Sequence, residues 1–171
     1  MSKAKLKKAL AALDKEELIT MVTELYDARK EAKEYLEYWI DPDPAKELER
    51  IERLVSRQFV TPQGISRRSP SLPVINKYIK DFMTICFEAE RVGELLIFVT
   101  EQMADWLETR YRRVSYRASL RKYLNEAALY IETNELEPLL GIRLDRLRER
   151  VEALEAYQNE IAPRRWSWRR H

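Results

Sequence analysis

Apolar side chains recur along most of this chain every three or four residues, the beat of an α-helix with 3.6 residues per turn. The clearest instance runs from Asp14 to Trp39. Leu18, Val22, Leu25, Ala32, Leu36 and Trp39 fall on one side of it, and Glu24, Asp27, Glu31 and Glu34 on the other. The stretch reads as one helix, around which the rest of the chain is organised. Asp14 and Glu17 have the spacing of a capping box, in which each carboxylate reaches an unpaired N–H of the first turn. Asp41-Pro42-Asp43-Pro44 stops the helix, because a proline has no N–H to donate and disfavours helical geometry in the residue before it.

The same beat places further helices. A short one, Lys3 to Leu13, is capped by Ser2 and uses Leu6, Ala9, Leu10 and Leu13. A third starts at Pro44 behind Asp43 and buries Leu48, Ile51, Leu54, Val55 and Phe59. Residues 60–73, with Pro62, Gly64, Pro70, Pro73, Arg67 and Arg68, read as a mobile loop by composition. Ile75, Tyr78, Ile79, Phe82, Met83 and Cys86 then form a broad apolar face, expected to be the most buried in the protein. Val92, Leu95, Leu96, Val99, Met103, Trp106 and Leu107 carry the next helix. Tyr116, Leu120, Tyr123, Leu124, Ala127 and Ile131 carry another, with Ser115 as its cap and Asn134 at its end. Pro138 opens the last, where Leu140, Leu144, Leu147, Val151 and Leu154 form a seam two heptads long. That length suits packing inside the domain better than a free zipper.

The expected fold is therefore all-α: a single-domain bundle or short helical stack of about six to seven helices, with no sheet. The domain spans 1–162, with a first half 1–59, the loop 60–73 and a second half 74–162. Residues 163–171 form a basic aromatic tail. At 171 residues with 3 glycines, the chain suits helices better than a turn-rich β fold.

The opening resembles a known family. The lysine-rich first helix, the Leu13-Asp14-Lys15-Glu16-Glu17-Leu18 junction, the run from Leu25 to Leu36 and the Asp41-Pro42-Asp43-Pro44 stop are similar to a family of bacterial all-helical domains of unknown function. The resemblance covers roughly the first third of the chain. It implies a helical fold and no assigned activity, so no functional residue is carried over from it.

Basic charge gathers at the two ends. The formal net charge is +2. Lys3, Lys5, Lys7, Lys8, Arg164, Arg165, Arg169 and Arg170 account for eight of the 31 basic residues, leaving 23 against 29 acidic ones, so the middle is acidic. A single cysteine, Cys86, forms no internal disulfide, and its place on an apolar face suits an inert buried thiol. The N-terminus carries no apolar stretch of the signal-peptide kind. The longest apolar run, Leu95 to Val99, is far too short to span a bilayer. A cytoplasmic protein without a transmembrane segment is expected.

Composition removes several chemistries. The only histidine is His171. Zinc sites of the usual kind, Glu-x-x-His di-iron centres and His-based nucleophile systems all lack their imidazoles. Phosphate-cradling loops lack their glycines. The carboxylate pairs Glu88 with Glu90 and Glu132 with Glu135 suit a solvated face. No catalytic residue, metal ligand or cofactor is expected.

Two basic groups are the candidate binding residues. Arg110, Arg113, Arg117 and Arg121 lie on or near one helix face, either to bind a partner or to pair with the acidic middle. The tail sets Trp166 and Trp168 among Arg164, Arg165, Arg169 and Arg170. That composition suits stacking on bases with neutralised phosphates, an anionic membrane surface, or an apolar latch against the bundle. The leading expectation is a non-enzymatic helical module with a protein partner. The alternative is a nucleic-acid-associated protein using the arginine-rich helix and the tail, and an enzyme comes third. The sequence leaves the oligomeric state open.

Overall fold

The computed structural model describes residues 2–66, 68–109 and 114–164, apart from the side chains of 114, 158 and 161–164. It is all-α, with eight α-helices among the described residues and one short β-hairpin. The chain divides into two units, residues 1–43 and residues 44 onward.

The first unit contains α1 (Lys3–Leu10), α2 (Lys15–Ala28) and α3 (Lys30–Ile40). The Asp14 carboxylate accepts from the Glu17 amide at 2.8 Å, and the Glu17 carboxylate accepts from the Asp14 amide at 2.9 Å, which completes the capping box. Ser2 caps α1 by accepting from the Lys5 amide. The stretch from Asp14 to Trp39 is not one helix. Arg29 is extended (φ −136°, ψ 116°) and separates α2 from α3. The Tyr26 hydroxyl then donates to the Glu37 carboxylate at 2.8 Å, a contact the bend brings within reach. This stretch does not organise the core either. No residue of α1, α2 or α3 is buried, and Trp39 and Ile40 are 66% and 74% exposed.

The second unit is built on α6 (Ala89–Thr109), which packs against α4 (Pro44–Phe59), α5 (Leu72–Ile85), α7 (Arg117–Thr133) and α8 (Glu137–Arg164). Val92, Leu95, Leu96, Ile97, Val99 and Met103 are all buried. Those positions cover more than half of the helix's circumference, leaving one side to Glu94, Glu101 and Asp105, and a helix with so broad an apolar face belongs in the centre of a core. The expectation that α5 would be the most buried is thus corrected. α5 buries one stripe, Ile75, Ile79 and Phe82, while Met83, a hundred degrees further round, is exposed. The seam on α8, Leu140, Leu144, Leu147, Val151 and Leu154, is buried throughout.

Residues 60–66, the first part of the segment read as a loop, contain a short hairpin. β1 (Val60–Thr61) and β2 (Gly64–Ile65) pair antiparallel, with Thr61 opposite Gly64, where no strand was expected. Gly64 turns at φ 108°, a conformation open to glycine alone at little cost. The Ser66 amide donates to the Phe59 carbonyl at 2.7 Å, and the indole N–H of Trp106 donates to the Ser66 carbonyl at 3.0 Å. These bonds pin the segment to α4 and α6. Ahead of α7, Val114–Tyr116 make a turn of 3₁₀ helix, so Tyr116 rather than Ser115 stands at the cap position.

The corner between α7 and α8 is a Schellman motif. Leu136 N–H bonds the Ile131 carbonyl at 2.9 Å, and Glu135 N–H bonds the Glu132 carbonyl at 3.2 Å. Glu135 holds the left-handed position at φ 56°. Gly93 of α6 lies against this corner. A Cβ there would stand 2.7 Å from Leu140 Cδ1 and 3.2 Å from Leu136 Cδ1. The absent side chain is what lets the Leu136 and Leu140 methyl groups pack onto α6.

Candidate interaction surface

The candidate arginines separate by place. Arg117 and Arg121 stand one turn apart on α7 and face α8, which runs antiparallel to it. Arg121 holds the Glu155 carboxylate with two guanidinium bonds, from Nε at 3.1 Å and from Nη2. That bond pushes the Arg121 pKa further above its usual range. One turn earlier, Arg117 Nη1 donates to Asn159 Oδ1 at 2.6 Å. Both guanidinium groups therefore join α7 to α8. Arg164 ends α8, its side chain outside the described set. Arg110, Arg113, Arg165, Trp166, Trp168, Arg169 and Arg170 lie outside the described residues.

A second row of ion pairs joins α8 to α6. Arg143 binds Glu101 twice, at 2.8 and 2.5 Å, and Arg150 binds Asp105 and Glu108. The spacing of seven between Arg143 and Arg150 places both on one side of α8, matching the acidic residues along the parallel α6. Glu52 of α4 lies in the field of Arg143. Burial pushes its carboxyl pKa up, Arg143 opposes that, and Glu94 and Glu101 add to it. These are paired, structural charges. Cys86 is buried at the end of α5 with its thiol near the Glu88 carbonyl. Among the described residues, no three His, Cys, Asp or Glu side chains converge as a metal site would require.

On another side of α8 the sequence pattern is broken, and there the surface opens. A groove of about 450 Å³ lies between the end of α7 and the first turns of α8. Ala128 and Ile131 of α7 with Gly141, Ile142 and Leu144 of α8 provide apolar lining. Glu132, Glu137 and Asp145 supply carboxylates, against one guanidinium, Arg148, which binds Asp145 at 2.8 Å. Ile142 is 74% exposed.

Gly141 explains how the groove reaches the helix backbone. It sits inside a long helix, where glycine costs about 1 kcal/mol relative to alanine. Unlike Gly93 it has no steric reason to be there, since a Cβ would meet only Glu137 Cβ, at 3.8 Å. The site was missed in the sequence, although two signals were present. Gly141 lies within a helical run, and Ile142 falls out of phase with the seam of Leu140, Leu144 and Leu147.

No helix among the described residues is long and apolar enough to cross a membrane. No curated protein and no solved structure matches the chain. One family model matches residues 1–163, nearly the whole length rather than the first third that the opening resemblance covers. The chain therefore belongs to DUF6155, a family of unknown function.

Proposed function

We propose that this protein is a non-enzymatic helical interaction module whose α7–α8 groove receives a cationic, apolar peptide segment of a protein partner. The groove itself carries the reading: a lining shared between apolar and polar surface, with Ala128 and Ile142 beside three carboxylates and a single arginine. Such a lining takes up an apolar side chain while its acidic groups meet a neighbouring positive charge, as helix-groove recognition commonly does. The protein's compartment in this reading is a bacterial cytoplasm, where the lone thiol of Cys86 stays reduced. The nucleic-acid alternative draws less support. Of its arginines, Arg117 and Arg121 spend their guanidinium groups on Asn159 and Glu155.

The test is a titration of the isotope-labelled chain with a synthetic peptide of alternating arginine and leucine. The expected result is amide shift changes centred on Glu132, Glu137 and Gly141, weakened by salt and abolished by Gly141→Phe, which fills the groove. An equal response to a glutamate–leucine peptide, or one that Gly141→Phe leaves intact, overturns the reading.

A further inference from the structure

The chain itself contains a segment with the chemistry this groove selects. Residues 164–171 set Trp166 and Trp168 among Arg164, Arg165, Arg169 and Arg170, two large apolar side chains flanked by four positive charges. The groove offers the complement, carboxylates of Glu132, Glu137 and Asp145 beside the apolar side chains of Ala128 and Ile142.

Reach decides which copy of the segment can enter. α8 is continuous from Glu137 to Arg164. Gly141 therefore lies about 35 Å back along the helix from Arg164, at 1.5 Å per residue. Trp168 is four residues beyond Arg164, and even a fully extended chain carries it at most about 14 Å. No segment 164–168 reaches the groove of its own chain. It reaches the groove of a second copy whose α8 runs alongside in the opposite direction.

Resting on the proposed interaction reading, we infer that the groove's occupant is the Trp166–Trp168 segment of a second copy of this chain. Exchange in both directions closes a two-fold pair, with each segment in its partner's groove, which is the self-complementary contact that stable homodimers use. The tryptophans supply the buried area, and the arginines answer Glu132, Glu137 and Asp145. Gly141 keeps open the space an indole fills.

Sedimentation of the full-length chain tests this, together with two full-length variants: Gly141→Phe, which blocks the groove, and Trp166→Ala with Trp168→Ala, which removes the inserted rings. The native chain is expected to pair reversibly. Each variant alone is expected to pair at least about 30-fold more weakly, the loss typical of truncating a central tryptophan contact. Mixing the two variants is the decisive step, because one still has an open groove and the other an intact segment. The mixture is expected to recover association between unlike chains, which misfolded variants would not do.

A native chain that stays monomeric overturns the inference, and so does a mixture that fails to associate or a variant that pairs like the native chain. The arginine–leucine peptide separates this outcome from the broader one. If the native chain is monomeric and the peptide still shifts Gly141, self-pairing falls and the interaction reading stands. If neither occurs, both fall.

Discussion

The indole N–H of Trp106 on α6 donates a 3.0 Å hydrogen bond to the carbonyl of Ser66, forty residues earlier in the chain. The Trp106 ring also meets Tyr116 edge-on, with centroids 5.1 Å apart. One side chain thus joins the hairpin segment, the central helix and the entrance to α7.

Trp106→Phe keeps an aromatic ring in the core and deletes the donor. The buried Ser66 carbonyl is then left unpaired, at a cost of about 1–3 kcal/mol, plus some packing from the smaller ring. Urea denaturation should show that loss. Amide exchange should localise it, with the Ser66 N–H, bonded to Phe59, exchanging faster while the amides of α8 hold. Uniform acceleration across the unit would mean that the indole serves the core alone and does not pin the loop.

The two helical glycines should answer alanine with opposite signs. At Gly93 the new methyl meets Leu140 and Leu136 in a packed corner. The expected overpacking cost of about 1–3 kcal/mol outweighs the gain in helix propensity of about 1 kcal/mol. At Gly141 the methyl meets only Glu137 Cβ, at an ordinary contact distance of 3.8 Å, so Gly141→Ala should stabilise by up to about 1 kcal/mol. Paired thermal melts decide the matter, and two shifts of the same sign would contradict the packing described for one of these positions.

Glu135 holds a left-handed conformation at φ 56° to close the Schellman turn. A non-glycine residue there costs about 1 kcal/mol. Glu135→Gly should therefore raise stability, by less than that amount because glycine also loosens the unfolded chain. Glu135→Ile should lower it by about 1–2 kcal/mol, since a β-branched residue tolerates this region worst. If glycine and isoleucine proved equal, the turn would have to relax to another geometry in solution.

What was legible in the sequence follows from what acts locally. The capping box at Asp14, the start of α4 at Pro44 and the end of α7 at Asn134 depend on residues within one turn, and each stands where its chemistry puts it. The break at Arg29 has no such marker. Asp27, Ala28, Arg29 and Lys30 contain no proline or glycine, and the bend is accompanied by the contact from Tyr26 to Glu37. The centrality of α6 was present in the run Leu95 to Val99, which is too short for a membrane yet apolar enough to be wrapped on most sides. The destinations of Arg117 and Arg121 were not legible. Whether an arginine on α7 meets Glu155 or solvent depends on the register of two helices joined through a corner, which no spacing on α7 alone reports. The groove falls in the same class, since its lining comes from α7 and α8 together.

Tyr123 gives the unit a pH dependence at the alkaline end. Its side chain is 5% exposed, and its hydroxyl donates to Asn76 Oδ1 at 2.8 Å. Burial first, and then the nearby charge of Glu126, push its pKa up to about 12, against about 10 in an unfolded chain. The folded state therefore holds this proton more tightly than the unfolded one. The resulting stability is complete below about pH 10 and drains away as the pH rises toward about 12. Tyr123→Phe removes the titrating group and keeps the ring. Asn76 is exposed, so water replaces the lost bond at modest cost. Between pH 9 and 11.5 the native protein should lose about 2 kcal/mol more than the variant. Urea midpoints at the two pH values measure the difference. Parallel losses in the two proteins would show that Tyr123 ionises as freely in the folded chain as in the unfolded one, and that its burial is not maintained in solution.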